Sequence, residues 1–392
     1  MNIQQYFEPI SKDTHSYISE DGVTTIGQAI KAYTEVDGFP DLADSSLAIM
    51  GVGEDRGAVG NKGCATAMNS IRQYLYALAS PIKELKLYDL GNITIGETPN
   101  DTYYAVIDVM RQLLEHGITT IVIGGGQDLT YAIYKAYEMV GQVINITAID
   151  PRFDISNTSA ITSRSYLNHI VMQQPNYLFN FTTLGYQTYL VGNDHIRLID
   201  ELNFDAYRLG ILQEDMSRAE PLLRNADVVS IDISAVRQND APANAHPSPH
   251  GFYGEQLCRM ARFAGMSDKV STLGIFELNP LYDRDGQTAH MTAHALWYFI
   301  EGFFGRKEEN PYYNQNNFLQ FIVQLEKSGL ELTFYKSRTS DRWWVEVPCD
   351  NEERRQRYQR HLLIPCSYDD YQSAMQNEIP ELWYRYYQRM QW

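Results

Sequence analysis

Cysteine is scarce in this chain: four residues in 392, Cys64, Cys258, Cys349 and Cys366, far apart and without CxxC spacing. That excludes a disulfide framework or a cysteine-type zinc site and leaves the expectation of buried thiols in a cytoplasmic protein. Positive charge is also short, with 32 Lys and Arg against 49 Asp and Glu and a net charge of -17. Nucleic acid is a poor partner for such a chain, because phosphate binding needs clustered Lys and Arg. No uncharged apolar run reaches the roughly 18 residues of a membrane span, so no membrane partner is expected. The start, Met1-Asn2-Ile3-Gln4-Gln5-Tyr6, lacks the basic and apolar regions of a signal peptide. No Gly-x-Ser-x-Gly elbow of serine hydrolases is found. The triple glycine at 124–126 has neither the Gly-x-Gly-x-x-Gly spacing nor a Gly-Lys-Ser/Thr ending of a phosphate loop.

What the chain does have is 44% hydrophobic residues, enough for a full core. Apolar runs predict strands at 47–52, 86–90, 119–123, 143–149, 188–191, 226–233 and 270–276. Apolar residues at helical spacing predict helices at 65–78, 101–116, 130–140, 254–263 and 288–304. This alternation favours an α/β fold, a central parallel sheet covered on both faces, over residues 46–305. Residues 1–45 read as an irregular segment wrapping the body. Residues 306–392 read as a C-terminal extension with a charged helix at 351–361 and an aromatic tail containing Trp383, Tyr384, Tyr386, Tyr387 and Trp392. So many aromatics rarely stay in solvent, which predicts packing on the body or on a partner subunit.

Chemistry gathers at three strand ends. Gln127 and Asp128 follow the triple glycine, Asp150 and Asp154 flank Pro151-Arg152-Phe153, and Asp232 ends an apolar run. In a parallel sheet all three segments can meet at one edge, where open α/β folds bind ligands. Converging aspartates suggest a hard divalent cation. Asp128, just ahead of a helix, reads as its N-cap.

In order along the chain stand Gly51-Val52-Gly53-Glu54-Asp55-Arg56-Gly57-Ala58-Val59-Gly60-Asn61-Lys62-Gly63, Ser70-Ile71-Arg72, Tyr88-Asp89-Leu90-Gly91, the triple glycine, Ile275-Phe276-Glu277-Leu278-Asn279-Pro280 and Thr288-Ala289. Together they resemble the ureohydrolase superfamily of arginase, agmatinase and formiminoglutamase over about residues 47–305, with the glycine-rich loop most similar to formiminoglutamase. The resemblance implies an arginase-like three-layer α/β/α fold. It also implies two manganese ions bridged by a hydroxide that attacks a guanidinium or formimino carbon. The family's ligands come from Gly-Gly-x-His, Asp-x-His-x-Asp and Asp-x-Asp motifs. Here Asp150, Asp154 and Asp232 match, whereas Gln127, Arg152 and Ser234 replace the two histidines and the last aspartate.

By this resemblance Gln127, Asp150, Asp154 and Asp232 could hold at most one divalent ion, Mn²⁺ or another, with no metal as the alternative. The second position would fall to Arg152 and Ser234, and a guanidinium has no lone pair to give. Arg152 is therefore expected to neutralise Asp150 and Asp232. Glu277 falls where the family places a carboxylate beside the substrate's amidine, with a structural ion pair as the equal reading. His169 falls in the region of a proton-shuttling histidine, with a structural role the stronger reading. His246 and His250 read as rim residues. The function expected is an impaired ureohydrolase homologue, a homo-oligomer that binds a small guanidino or formimino ligand. A working metallohydrolase of linear amidines such as formiminoglutamate and a non-catalytic interaction protein are the alternatives.

Overall fold

Strands buried on both faces organise the protein, and their period-two alternation divides it into layers. Leu47 and Ile49 enter one hydrophobic core, while Ala48, Met50 and Val52 enter another; Ile121 and Ile123 part from Val122 in the same way. The structure, a computed structural model, describes residues 1–11, 22–312, 314–326 and 329–391. Its main sheet has ten strands: β1 (Phe7–Glu8), β2 (Lys31–Ala32), β3 (Leu47–Val52), β4 (Leu87–Ile93), β5 (Thr119–Ile123), β6 (Ile144–Ile149), β7 (Leu178–Tyr186), β8 (Asp205–Arg208), β9 (Val228–Asp232) and β10 (Thr272–Phe276). Their order is β1-β4-β3-β5-β10-β9-β6-β7-β8, with β2 beside β4. Only the β1–β4 pairing is antiparallel.

Helices α1 (Ala67–Ala77), α4 (Gly254–Gly265) and α5 (Gln287–Phe304) fill the first core, while α2 (Pro99–Glu115) and α3 (Leu129–Met139) fill the second. The chain thus adopts the expected three layers. No helix among the described residues is long and apolar enough to cross a membrane.

Two readings need correction. The run at 188–191 is a short 3-10 turn, and the strand lies upstream at β7. Asn180, Thr182 and Thr183 hid it by breaking the apolar pattern, yet all three are buried, and Asn180 Nδ2 donates to Asp205 Oδ2 at 2.7 Å. The first 45 residues are less irregular than expected, since β1 and β2 both pair with β4. Residues 12–21 of that segment lie outside the described residues.

Beyond α5 a second, antiparallel sheet runs β11 (Phe318–Gln324), β12 (Glu331–Ser337), β13 (Trp343–Glu346) and β14 (Leu363–Cys366), followed by α6 (Glu381–Gln391). Its core contains Trp383, Tyr386 and Met390 and takes in Val143 and Phe179 from the main body. Polar and aromatic contacts tie the two parts further. His361 stacks on Phe179 at 4.3 Å, the Arg224 guanidinium lies 4.3 Å from the Trp344 ring centroid, and Asn225 Nδ2 donates to Tyr386 Oη at 2.7 Å. Trp392 of the aromatic tail lies outside the described residues.

Candidate active site at the carboxyl edge of the sheet

Strands β5, β10, β9 and β6 are neighbours in that order. At their carboxyl ends they place Gln127, Glu277, Asp232 and Asp150 along one edge. The triple glycine makes the first of these turns possible. Gly125 has φ +76, and a Cβ there would stand 2.6 Å from Glu54 O and 2.8 Å from Val52 O, so no larger residue fits. Asp154 and Glu277 are themselves left-handed, at φ +50 and +65. For a glutamate this conformation costs about 1–3 kcal/mol and persists only where the surroundings fix it. At Glu277 they do. Its N–H donates to Gly125 O at 2.9 Å, and its carbonyl accepts from Asn61 Nδ2 at 2.8 Å and Asn244 Nδ2 at 3.0 Å.

Four carboxyls are nearly shut off from solvent here: Asp150 at 0%, Asp154 at 5%, Asp232 at 3% and Glu277 at 4% exposure. Burial, then Asp154 and Asp232, push Asp150 well above the usual carboxylate range. Burial also raises Asp154 and Asp232, with the Arg164 charge opposing it at both. Glu277 is pushed up to about 8 by burial and by Asp232, against the hydrogen bonds it accepts from Asn61 Nδ2 (2.8 Å) and Gln127 N (3.1 Å). Desolvation wins at each of these groups. A proton on Asp150 can be donated to Asp154, which relieves both.

The cation facing this cluster is Arg164, which the sequence reading passed over. Its Nη1 stands 3.4 Å from Asp154 Oδ1. Burial disfavours its charge, but Asp154, Asp232, Asp150 and Glu277 together hold it protonated. No spacing signal marks Arg164. It arrives because the loop after Asp154 folds back, with Ser156 N donating to Arg164 O at 2.9 Å and Ser163 N to Gly57 O at 3.0 Å. Arg152, expected to neutralise Asp150 and Asp232, donates from Nη1 to Leu190 O at 2.9 Å and makes no direct ion pair with either, although its charge still opposes the effect of burial at Asp232. Its backbone N–H does bond Asp150 Oδ1 at 2.7 Å, because the chain turns there. Ser234 likewise meets Asp232 through its backbone, N–H to Oδ1 at 2.7 Å. Asn61 was also missed. It sits inside the glycine-rich loop already singled out, and it joins that loop to Glu277 and Asn279.

His169 lies apart from these bonds, with Nε2 3.2 Å from Ala160 O and its ring edge-on to Tyr131. His246 and His250 are exposed. Asp128 makes no side-chain cap bond to α3, because its own backbone is already helical (φ -53, ψ -25). Instead it is wholly buried, accepts from Tyr103 Oη at 2.5 Å, and is raised to about 7 by burial. Tyr103→Phe should therefore destabilise the protein by about 1–3 kcal/mol. Urea denaturation would measure this, and an unchanged midpoint would rule out the bond as a support of the loop.

Whether these residues suit a metal can be tested on their free oxygens. Gln127 Oε1, Asp150 Oδ2 and Asp154 Oδ2 are buried without a hydrogen-bond partner. Gln127 Nε2 is turned toward Ser230 Oγ at 3.3 Å, which leaves the amide oxygen on the free side. Such unpaired buried acceptors call for a proton or a cation. Among the described residues, however, no group of three or more His, Cys, Asp or Glu is arranged as a ready metal cage. The free oxygens offer the donor chemistry of a hard cation but are not already gathered around one point, so the first position fits one such ion in kind without being preformed. The second position does not fit: Arg152 points to a carbonyl and Ser234 offers one hydroxyl in place of a carboxylate.

Buried carboxyls at the carboxyl ends of adjacent parallel strands define an α/β protein with its site in the crevice such sheets use. The chain belongs to the arginase family, whose sequence profile matches residues 45–301. Within it, the chain is similar to the formimidoylglutamase of Enterobacter sp. (strain 638), 25% identical over 280 residues that span 65% of this chain and 85% of that one. Trypanosoma cruzi formiminoglutamase, solved with Mn²⁺, superposes with a TM-score of 0.65 at 19% identity, covering 73% of this chain and 100% of its own. Bacillus subtilis formimidoylglutamase superposes with a TM-score of 0.66 at 20% identity, covering 74% and 95%. At these identities the structural likeness speaks for the fold.

Proposed function

We propose that this chain is a formiminoglutamase-like member of the arginase family with impaired C–N hydrolysis, accepting at most one divalent cation and a small guanidino or formimino ligand. The observation that carries the reading is the Arg164–Asp154 ion pair, a cation supplied by the chain itself among the carboxyls. Arg152 and Ser234 at the second position add no competent donor to replace it. The names of the relatives support a linear amidine as the ligand class and Mn²⁺ as the ion.

When two ions are bound, such a metal pair supplies a hydroxide nucleophile near neutral pH. In this chain Glu277 would accept hydrogen bonds from an amidinium, Asn61 would hold Glu277 in place, and Arg164 would repel a cation entering beside Asp154. The second reading, a working hydrolase of linear amidines, is favoured by the three unpartnered buried oxygens.

Metal content after Mn²⁺ loading and desalting decides between them, with Asp150→Ala as control and urea and formamide release assayed in parallel. The impaired reading expects no more than one ion, lost in the control, and no product above background. Two ions with steady product release would overturn it. Arg164→Gln should tighten Mn²⁺ binding about tenfold or more, because a unit charge about 4 Å away is worth a few kcal/mol even in a moderately polar site. Unchanged affinity would show that Arg164 does not compete.

A further inference from the structure

Helix α5 carries His290 and His294 one turn apart, both exposed. Their ring centroids are 4.6 Å apart, and Tyr74 stacks on His290 at 4.7 Å with 17° between the planes. Tyr74 is itself positioned, since its hydroxyl donates to Asp285 O at 3.1 Å. Side chains four residues apart face each other on a helix, and two histidines at that spacing are the arrangement with which a single helix face grips zinc. Among the described residues no hydrogen bond or ion pair within the chain engages either ring.

We propose that His290 and His294 form a site for a borderline first-row transition-metal ion, Zn²⁺, Ni²⁺ or Cu²⁺, on the outer helix layer and independent of the carboxylate edge. The two places differ in donor type. Imidazole nitrogen suits Zn²⁺, Ni²⁺ and Cu²⁺, whereas carboxylate and amide oxygen suit Mg²⁺, Ca²⁺ and Mn²⁺. Burial and the neighbouring His290 lower the His294 pKa, which favours the neutral, ligating imidazole. On one side His294 opens onto a groove of about 740 Å³ between α4 and α5, lined also by Met291 and Tyr298. That leaves room for water or a further ligand to complete the coordination, so the ion is held by two protein ligands and stays exchangeable.

The test is calorimetric titration of the full chain with Ni²⁺ and with Zn²⁺ in the presence of excess Mg²⁺, which occupies oxygen sites and competes poorly for imidazole. One ion per chain is expected. Affinity should drop at least about tenfold in His290→Ala and again in the double variant with His294→Ala, and Cu²⁺ should bind more tightly than either ion. Both positions are exposed, so the variants should melt at the wild-type temperature, which the same samples verify. Binding that survives in the double variant, that is absent from the wild type, or that Mg²⁺ displaces would overturn the assignment.

Discussion

Arg72→Met should destabilise the protein by on the order of 3–5 kcal/mol. Arg72 on α1 and Asp89 on β4 are both fully buried. The guanidinium donates from Nε to Oδ2 at 2.7 Å and from Nη2 to Oδ1 at 2.8 Å, and it also reaches Gly91 O at 2.9 Å and Asn92 Oδ1 at 2.5 Å. Asp89 accepts two further bonds, from Tyr76 Oη at 2.8 Å and Gly91 N at 3.0 Å. The pair thus clamps the helix to β4, within which Asp89, Gly91 and Asn92 all lie. Taking away the arginine strands a buried carboxylate, and that stranded charge, more than the lost attraction, sets the size of the effect. Arg72→Met combined with Asp89→Leu should recover a large part of the loss, since an apolar pair leaves no charge unpaired. Urea denaturation of both variants measures it. A single variant within about 0.5 kcal/mol of wild type would contradict the argument.

The second large effect is a pH dependence that metal should invert. In metal-free protein, Glu277 holds its proton up to about 8. Its folded value lies above that of an unfolded glutamate, so the folded state binds the proton more tightly. The stability this contributes is complete below the unfolded value and is lost as pH rises through about 8. Asp150, Asp154 and Asp232 are shifted the same way and add to the fall. Chelator-treated wild type should therefore lose stability progressively from about pH 5 to about pH 8, and Glu277→Gln, which mimics the protonated side chain, should flatten a part of that fall. A cation that displaces these protons binds better as pH rises, so Mn²⁺ should stabilise most at the alkaline end. Thermal melting across this range, with chelator and with Mn²⁺, is the measurement. Parallel profiles for wild type and Glu277→Gln would defeat the prediction.

Much of this molecule could be read before its structure was known. Buried parallel strands give apolar runs, helices on both faces give clear 3.6-residue stripes, and Asp150 and Asp232 stand directly at strand ends. What escaped was polar and buried. The strand β7 carries Asn180, Thr182 and Thr183 inside the protein, where the Asn180 amide donates to Thr182 Oγ1, to Asp205 Oδ2 across the sheet and to Tyr386 Oη of the C-terminal part. No local pattern announces partners that lie 25 and 206 residues away.

The sequence alone determined the layered α/β architecture, the arginase-family membership and the position of Gln127, Asp150 and Asp232 at strand ends, because strand periodicity and motif spacing are local properties. Tertiary structure alone decided which cation meets the carboxyls. Arg152 stands two residues from Asp150, yet the turn directs it to Leu190, while Arg164 is brought back by a folded loop. Charge compensation in a buried site depends on distance in space and on desolvation, and neither quantity is written in the spacing of residues along the chain.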